Sequence, residues 1–415
     1  MTDAHNSSVY LVAGRQEVSV NDRVKKLLTL RDRFHAVTLV TPGPRCSTAE
    51  QLCVPPVVGI TGLLRVLKLN SLKAAIDRYV YFPSLDIRFV WALQRPLLER
   101  LRQDIKEGRN AIVVLTFPPH ALGRLALVIK EELPQVRVVL DWQDLWSFDP
   151  NYFERSPRLF RGRVRRWEEE FVAAADLHLA TNQRAAAVLM DRHRVPEARV
   201  SYIEHHYHPD DLLNQALVTN SQSDTGSPIR LAFMGTLDKP PRVPGRELME
   251  VIRQVNKLER RVELHVYGNV PAFDNLQLKA LAGEGIIFHG LVSHEEATQA
   301  LLEYDVLVLL LADMPNSRVV LSIKLPHYLL ANKPILAVVP QNSAIADVIT
   351  KTRAGQVVDS SAGNGTNWPA ALVELLTDES RLRSMAANRS EQAIDEYHWD
   401  NIAPRWVAAI LGDVA

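Results

Sequence analysis

Cysteine is almost absent from this chain of 415 residues, since only Cys46 and Cys53 occur. Their spacing matches neither a zinc-binding pair nor a redox C-x-x-C motif, so a disulfide scaffold is excluded and a reducing compartment is expected. The longest apolar stretch, residues 306–312 with its flanks, is far shorter than the roughly 20 residues of a membrane-spanning helix. The first residues lack the basic region and apolar core of a signal peptide. We therefore expect a cytoplasmic protein.

An excess of charge of one sign is missing as well, because 48 basic and 48 acidic side chains balance. A nucleic-acid partner is not expected, since such binding needs a concentrated basic face. No G-x-G-x-x-G follows a strand-like run, no G-K-[ST] completes a Walker loop, and no G-x-S-x-G is present. The commonest signals for dinucleotide binding, for phosphate-loop nucleotide hydrolysis and for α/β hydrolases are thus absent.

Short apolar runs rich in Val, Ile and Leu alternate with amphipathic stretches along the chain. This alternation is typical of parallel strands that are buried on both faces and joined by helices. The runs that predict strands are residues 9–13, 37–41, 112–116, 136–141, 200–203, 231–234, 263–267, 286–289, 306–311, 335–338 and 356–358. The sequence therefore predicts an α/β protein with two doubly wound, Rossmann-like domains.

The predicted domain limits follow from a break in this pattern. Residues 220–228, N-S-Q-S-D-T-G-S-P, have no apolar period and indicate a linker. We predict a first domain over residues 1–208, a linker over 209–228 and a second domain over 229–396. Residues 397–415 are predicted to form a helix that crosses back to the first domain.

The start of the second domain carries an anion-binding signal. Gly235 follows the predicted strand 231–234 and would let a ligand approach the backbone, and Lys239 and Arg242 come just before a predicted helix. Two cations at a strand end, beside amide donors and a helix N-terminus, suit a diphosphate.

Residues 322–339 read S-I-K-L-P-H-Y-L-L-A-N-K-P-I-L-A-V-V and begin with Ser322 as a candidate helix cap. Nearly residue for residue, this segment resembles S-K-L-x-E-Y-L-A-x-G-K-P-V-L-A, which is typical of the retaining glycosyltransferase family four with its B-type (GT-B) fold. Other segments resemble the same family in the same order. They are N-D-R-V at 21–24, F-P-P-H at 117–120, D-W-Q-D-L-W at 141–146 and Y-H-W-D at 397–400.

The resemblance covers almost the whole chain and implies both a fold and a reaction. The fold would have two Rossmann-like domains facing a cleft, with the acceptor on the first domain and the nucleotide-sugar on the second. The reaction would move a sugar to a glycan, lipid-linked or small-molecule acceptor with retention of configuration, as in polysaccharide or glycolipid biosynthesis. No metal and no other cofactor is implied, because the enzyme's main task is to stabilise negative charge on the departing diphosphate.

The resemblance also implies roles for individual residues. His120, Lys239, Arg242 and Lys324 would be catalytic, with His120 near the reacting sugar. The residues implied to contact the nucleotide-sugar are Gly14, Arg15, Gly235, Thr236, Gly268, Asn269, His289, Gly290, Val292, Ser322, Leu325 and His327. Asp141, Trp142 and Asp144 would lie on the acceptor side.

Two departures from the family pattern keep a second function open. The family usually has two glutamates eight positions apart, one for donor-sugar hydroxyls and one for the ribose, but Val319 and His327 occupy those positions here. The loop at Gly14-Arg15 also lacks the family's double glycine. A catalytically silent protein that binds or activates a partner is therefore the alternative. The sugar, the nucleotide and the acceptor stay open.

Several site residues also have structural interpretations. His120 is either a loop residue bonded to backbone or an active-site group, and Asp141 and Asp144 either cap the following turn or touch the acceptor. Trp142 and Trp146 are expected in the core or in a cleft wall. The run H-H-Y-H at residues 205–208 resembles a metal site, but neighbouring histidines in an extended loop do not easily face one ion, so a structural role is expected.

Two basic segments complete the sequence picture. Residues 62–80 place Arg65, Lys68, Lys73 and Arg78 among leucines, a pattern of amphipathic helices that either pack on the protein or lie at the inner face of an anionic membrane. Residues 155–166 contain six arginines and precede three glutamates at 168–170. A solvated helix face with internal ion pairs is the ordinary interpretation of such a run.

Overall fold

Contacts divide the chain into two units, residues 1–204 with 402–415 and residues 205–401. The computed structural model describes residues 3–14, 22–43, 51–56, 76, 86–154, 156–208, 211, 227–237, 243–258, 262–270, 277, 280–281, 283–361 and 367–413. Nearly all of the predicted linker 209–228 lies outside these ranges, so its limits stay a prediction.

The first unit is built on a seven-stranded parallel sheet with the order β3-β2-β1-β4-β5-β6-β7. Its strands are β1 Ser7–Val12, β2 Ala36–Pro42, β3 Gln51–Val54, β4 Asn110–Phe117, β5 Arg137–Trp142, β6 Leu177–Ala180 and β7 Val200–Tyr202. Its helices before the linker are α1 Asp22–Leu28, α2 Ile87–Lys106, α3 Gly123–Glu132, α4 Pro150–Phe153, α5 Arg161–Ala174 and α6 Gln183–His193. The central strands β1 and β4 are buried along almost their whole length, as helices on both faces require.

The second unit is built on a six-stranded parallel sheet with the order β10-β9-β8-β11-β12-β13. Its strands are β8 Ile229–Met234, β9 Val262–Tyr267, β10 Ile286–Gly290, β11 Val306–Leu310, β12 Ile335–Val339 and β13 Gly355–Asp359. Its helices are α7 Gly245–Lys257, α8 His294–Ala300, α9 Leu325–Leu330, α10 Ala344–Thr352, α11 Trp368–Thr377, α12 Glu379–Ser384 and α13 Glu391–Asp395. Alternate strand residues feed two apolar cores, such as Leu231 and Phe233 in one and Ala232 in the other.

The predicted fold class, with two Rossmann-like parallel sheets, is confirmed. In both sheets the strand order reverses beside the first strand, at β1 and β4 and at β8 and β11. Ligands of open α/β sheets bind beyond the carboxyl ends of the strands at this switch point. Each unit therefore has one sheet edge at which site residues are expected.

The chain passes between the units at two places, and both passages are held by local contacts in the second unit. The amide of Tyr207 donates to the carbonyl of Tyr397, and the amide of Trp399 donates to the carbonyl of Tyr207. The ring of His206 stacks on Trp399 with centroids 4.8 Å apart. These contacts give the H-H-Y-H run the structural role that the sequence predicts.

The last helix, α14 Trp399–Leu411, brings residues 402–415 into the first unit, as predicted for the crossover segment. Arg137 at the start of β5 donates to the carbonyls of Ile410 and Ala409 at 2.9 and 3.2 Å. A cation at the last carbonyls of a helix offsets their unpaired partial charge. Trp406 is fully buried, so the helix completes the core of the first unit.

A buried ion pair links α1 and β5 beside this helix. The Arg23 guanidinium lies 3.0 Å from an Asp141 oxygen, and both side chains are at most 1% exposed. Arg23 also donates to the carbonyl of Glu204 and lies over the Trp406 ring at 4.7 Å. The Arg23 guanidinium of α1 thereby contacts β5, the end of segment 1–204 and helix α14.

Removing the carboxylate of this pair should destabilise the first unit strongly. Asp141→Asn would leave the Arg23 charge buried and unbalanced, which costs about 3–5 kcal/mol in comparable cases. Glu204→Gln is the matched control, because its 2.8 Å pair with Arg405 is partly exposed and such pairs contribute at most about 1 kcal/mol. Urea unfolding measures the free energy of unfolding of both variants. If Asp141→Asn lost no more than Glu204→Gln, the buried pair would not be important for stability.

Candidate functional site

Backbone atoms of three neighbouring strands meet at the carboxyl edge of the second sheet. The amide of Gly235, after β8, donates to the carbonyl of Tyr267 at 2.7 Å, and the amide of Gly268, after β9, donates to the carbonyl of Gly290 at 2.7 Å. Gly235 and Gly268 have φ of +111° and +144°, which side chains disfavour. A Cβ on Gly268 would lie 2.2 Å from the Gly235 oxygen. We call residues 235, 268 and 290 the "glycine edge", a set of strand ends whose backbone carries no side chains.

Lys324 places a cation directly at the glycine edge. Its Nζ lies over the Phe233 ring at 4.7 Å, and a Cβ on Gly235 would be 2.7 Å from that nitrogen. Lysine supplies a compact charge that suits phosphate oxygens. The arrangement of a lysine above backbone without side chains can therefore hold a phosphate group.

The residues just beyond these glycines are linked to one another. The amide of Leu237 donates to the carbonyl of Asn269 at 2.9 Å, which joins the loops that follow β8 and β9. Thr236 and Val292 are partly exposed at the same strand ends. Thr236, Asn269 and Val292 are thus brought near the glycine edge.

Helix α9 begins three residues later than Ser322, so the prediction that Ser322 caps this helix is wrong. Ser322 instead accepts the Lys324 amide at 3.3 Å and, through its carbonyl, the Leu325 amide at 3.1 Å, which closes a turn before the helix. Leu325 is 1% exposed. Its side chain and its amide are therefore used by the protein itself, and a direct contact of Leu325 with a nucleotide-sugar is not supported.

His327 is buried in the first turn of α9. Its Nδ1 lies 3.8 Å from an Asp211 oxygen, which is longer than a hydrogen bond. Val319, at the other glutamate position, is partly exposed in the loop after β11. Neither position presents a carboxylate.

A stack of rings continues from the glycine edge onto the edge strand β10. The exposed His289 ring lies parallel to Tyr267 with centroids 4.2 Å apart, and its Nε2 is 2.9 Å from Nδ1 of His265. Tyr267 in turn shares a 2.7 Å hydrogen bond with the Tyr304 hydroxyl. Burial lowers the pKa of His265 and of His289, which favours the neutral form of each ring.

Sequence reasoning missed His265 and Tyr267 as neighbours of His289. The alternation E-L-H-V-Y over residues 263–267 is the signal that could have found them, since alternate residues of a strand share a face.

In the first unit, His120 lies at the equivalent sheet edge, just after β4. The ring is 5% exposed, and its Nε2 is 3.0 Å from the carbonyl oxygen of Asp144. Because a carbonyl only accepts, Nε2 carries a proton. Trp146 stacks on the ring with centroids 5.3 Å apart and planes 6° from parallel. Burial lowers the pKa of His120 to about 4, although the Asp144 carbonyl opposes the shift.

Gly14, at the end of β1, lies directly against the residue before His120. A Cβ on Gly14 would come within 2.1 Å of Pro119 Cγ, so only glycine lets the loops after β1 and β4 approach in this way. Gly14 therefore supports the placement of the His120 loop.

The acceptor-side prediction needs correction for two of its three residues. Asp141 is fully buried and paired with Arg23, and Trp142 is 1% exposed with its Nε1 3.3 Å from Nδ1 of His178. Both residues are used inside the first unit, so they are assigned structural roles. The backbone carbonyl of Asp144 accepts a hydrogen bond from His120. This contact is neither the turn cap nor the acceptor contact that the sequence predicts for Asp144.

Three predicted site residues, Arg15, Lys239 and Arg242, lie outside the described residues and stay predictions. Across the part of the chain that is described, no three His, Cys, Asp or Glu side chains are grouped so that they could hold a metal ion. Nor does any helix in that part have the length and apolarity needed to cross a bilayer.

The buried histidines of the first unit predict a dependence of stability on pH. Burial lowers the pKa from 6.5 to about 4 for His120 and His193 and to about 3 for His178. Below pH 6.5 the unfolded chain binds more protons than the folded one, so the free energy of unfolding should fall as the pH falls toward 4. The slope is on the order of 1 kcal/mol per pH unit for each histidine.

Urea unfolding at pH 7 and pH 5 measures this dependence. His120→Gln should retain roughly two thirds of the wild-type loss between the two pH values, because the other two histidines remain. If His120→Gln lost as much free energy of unfolding between pH 7 and pH 5 as the wild type, the pKa of His120 would be the same in the folded and unfolded chains.

Two family models match the sequence. The model described as Glycosyltransferase Family 4 matches residues 27–210, and the model described as Glycosyl transferases group 1 matches residues 228–378. No curated protein sequence matches the chain significantly.

Many solved structures share the fold at low identity. The trehalose 6-phosphate synthase of Burkholderia multivorans is 10% identical with a TM-score of 0.65, over 97% of this chain and 98% of that one. Sucrose-phosphate synthase of Thermosynechococcus elongatus is 12% identical with a TM-score of 0.60, over 96% and 97%. Anabaena HepE, solved with UDP and glucose, is 11% identical with a TM-score of 0.61, over 98% and 100%.

These matches extend over both units, and the two family models together span most of the sequence. The chain belongs to the GT-B glycosyltransferases of the family four type.

Proposed function

We propose that this glycosyltransferase moves a sugar from a nucleotide-sugar to a glycan, lipid-linked or small-molecule acceptor with retention of configuration and without a metal ion. The observation that supports this most is the glycine edge with Lys324 above Gly235. A diphosphate laid on that edge would meet an ammonium group and approachable backbone. The structure of Anabaena HepE with UDP-glucose supports a nucleotide-sugar as the class of donor.

These residues would stabilise the negative charge that develops on the leaving diphosphate. The bond between the anomeric carbon and the diphosphate oxygen breaks, and the acceptor oxygen forms its bond to the same face of that carbon. The acceptor's proton passes to the diphosphate oxygen as it leaves. A fixed cation aimed at the leaving group stabilises the charge that develops there, and Lys324 is the described cation so placed. We propose Lys239 and Arg242 as further cations on the same diphosphate.

We propose that His120 contacts the reacting sugar as a neutral group. Its lowered pKa and its Nε2 proton, committed to the Asp144 carbonyl, do not suit an acid that gives up a proton near pH 7. The stacked Trp146 and the Asp144 carbonyl fix the ring in one orientation, which suits a positioning contact.

A catalytically silent protein remains the second candidate, and one observation favours it. Both positions at which the family has carboxylates for the donor lack them, with His327 buried on α9 and Val319 in the loop after β11. In that case no sugar would be transferred, and the protein would bind or activate a partner.

We also propose that residues 62–80 bring the enzyme to an anionic membrane surface when the acceptor is lipid-linked. Arg65, Lys68, Lys73 and Arg78 lie outside the described residues, so this proposal depends on the sequence pattern alone.

Donor binding and transfer can be tested together with a panel of nucleotide-sugars. A donor at 100 times its Kd should stabilise the folded chain by about 2.7 kcal/mol, and mass spectrometry should detect a glycosylated acceptor. No thermal shift with any nucleotide or nucleotide-sugar would contradict the transferase. Binding without any transfer or donor hydrolysis would support the silent protein.

Lys324→Met should weaken binding of the nucleoside diphosphate of that donor by about 1.5–3 kcal/mol, the range for hydrogen bonds to charged groups. Lys333→Met is the matched control, because it removes the same charge from the same unit just beyond α9. Calorimetric titration measures both affinities. Equal affinities for the two variants would remove Lys324 from the site.

Excess chelator should leave turnover intact, because a lysine and backbone groups occupy the place where metal-dependent transferases hold a cation with carboxylates. Initial rates with and without EDTA measure this. A loss that magnesium or manganese restores would contradict the metal-independent mechanism.

A further inference from the structure

A buried carboxylate of helix α5 holds the loop that follows β5. Glu168 is 1% exposed, its Oε1 accepts the Ser147 amide at 3.0 Å, and its Oε2 accepts the Ser147 hydroxyl. Both carboxylate oxygens are therefore used by one residue of that loop. Glu170 pairs with Arg124 of α3 at 3.5 Å. The ion pairs that the sequence predicts within residues 155–170 are thus not made by these two glutamates.

A second residue of α5 holds the neighbouring residue of the same loop. Phe171 lies three positions after Glu168, so the two share a face of the helix. The Phe171 ring stacks on Trp146 with centroids 6.1 Å apart and planes 3° from parallel. A Cβ on Gly123 would come within 2.1 Å of the Phe171 ring, and Gly123 directly follows the 3₁₀ turn His120–Leu122. Helix α5 thus packs on the loop after β5 and beside the turn that carries His120.

These contacts bear on His120 because the loop after β5 holds its imidazole in two ways. The Asp144 carbonyl accepts the Nε2 proton at 3.0 Å, and the Trp146 ring stacks on the imidazole with centroids 5.3 Å apart. Ser147 is the residue after Trp146, and its amide is fixed by Glu168. A displacement of Ser147 would therefore move Trp146 and loosen the His120 ring.

The hydrogen-bond directions at Ser147 require an acceptor at Glu168. Arg192 of α6 donates to the Ser147 hydroxyl oxygen from Nε at 3.2 Å and from Nη2 at 3.0 Å. Because a guanidinium only donates, the hydroxyl hydrogen of Ser147 is left for Glu168. A carboxylate accepts both this hydrogen and the Ser147 amide, one on each oxygen. A carboxamide of the same shape has one oxygen, so Glu168→Gln breaks the contact with little change of volume.

We propose that Glu168 is a positioning residue for the transfer reaction, which acts through Ser147 and Trp146 to hold His120 in one orientation. The proposal rests on the proposed function, in which His120 contacts the reacting sugar. Glu168 is buried and does not contact a substrate itself. Its effect on the rate comes from the orientation of the imidazole, since a misplacement of about 1 Å can lower a rate by about 100-fold.

Steady-state kinetics of Glu168→Gln test the proposal. The kcat should fall by about 10- to 100-fold, whereas the Kd of the nucleoside diphosphate, assigned to the glycine edge, should stay that of the wild type. Asp104→Asn is the matched control, because Asp104 is also buried and accepts a hydroxyl, that of Tyr10, at 2.7 Å. Its other partner Arg109 precedes β4, whereas His120 follows it. This control should lose stability and keep the wild-type kcat.

Ser147→Ala tests whether Glu168 acts through the loop, and it serves as the second variant if Glu168→Gln does not fold. It keeps the amide that Glu168 accepts, so kcat should fall by a smaller factor than in Glu168→Gln. The double variant should lose less than the product of the two single losses, because both substitutions break one contact. Losses that simply multiply would show that Glu168 does not act through Ser147 and would overturn the proposal.

The Nε2 proton of His120 provides a measurement that needs no turnover. In a chain labelled with ¹⁵N-histidine, a proton in this buried hydrogen bond should be protected from exchange and give a sharp signal. The signal is assigned by its disappearance in His120→Gln. Glu168→Gln should broaden or lose it, whereas Asp104→Asn should retain it.

The outcomes separate this proposal from the proposed function. A wild-type kcat in Glu168→Gln, or an equal loss of the His120 signal in Asp104→Asn, would overturn the positioning role and leave the proposed function standing. If His120→Gln kept wild-type turnover, or if the wild type transferred no sugar, the proposed function would fail and the positioning role with it.

Discussion

The close approach of backbone at the ends of β8 and β9 is the constraint on which the candidate site depends. Because the Gly268 α-carbon faces the Gly235 carbonyl, no side chain fits between these strand ends. The same absence of side chains leaves room for the Lys324 ammonium over Gly235. The parallel sheet thereby ends in backbone without side chains beside the Lys324 ammonium, and such an environment suits a diphosphate.

The first unit meets a different requirement, since it must hold charged and polar groups inside an apolar core. Arg23 and Asp141 neutralise each other between α1 and β5, with Trp406 of the returning helix beneath the guanidinium. His120 is held in place by the Asp144 carbonyl and the Trp146 ring, and burial lowers its pKa to about 4. Buried groups of this kind contribute when every partner is present and cost free energy when one is removed. The loop that follows β5 is consequently fixed by the same contacts that fold the unit.

The sequence predicted the sheets better than the contacts between side chains. Long apolar runs identified β1, β2, β4 and the six strands of the second sheet, because burial on both faces leaves no polar positions. The strands β3 and β6 were missed. Each has only four residues, and β6 includes His178, which is satisfied inside the core by Trp142 and the Val172 carbonyl.

Side-chain partners could not be predicted from spacing alone. Glu168 follows a run of arginines, yet it faces Ser147 from a distant loop, and Asp141 is paired with a residue more than a hundred positions away. The resemblance placed Gly235, Gly268 and Lys324 in one site, and the structure brings all three together. It could not show that Leu325 is buried or that Ser322 precedes the helix, since both depend on where α9 begins.

A crystal structure with a bound nucleoside diphosphate tests the central claim most directly. The account predicts diphosphate oxygens within hydrogen-bonding distance, about 3 Å, of Lys324 Nζ, with the diphosphate lying against the glycine edge. A diphosphate bound elsewhere, or one held at this edge by a metal ion with Lys324 turned away, would contradict it.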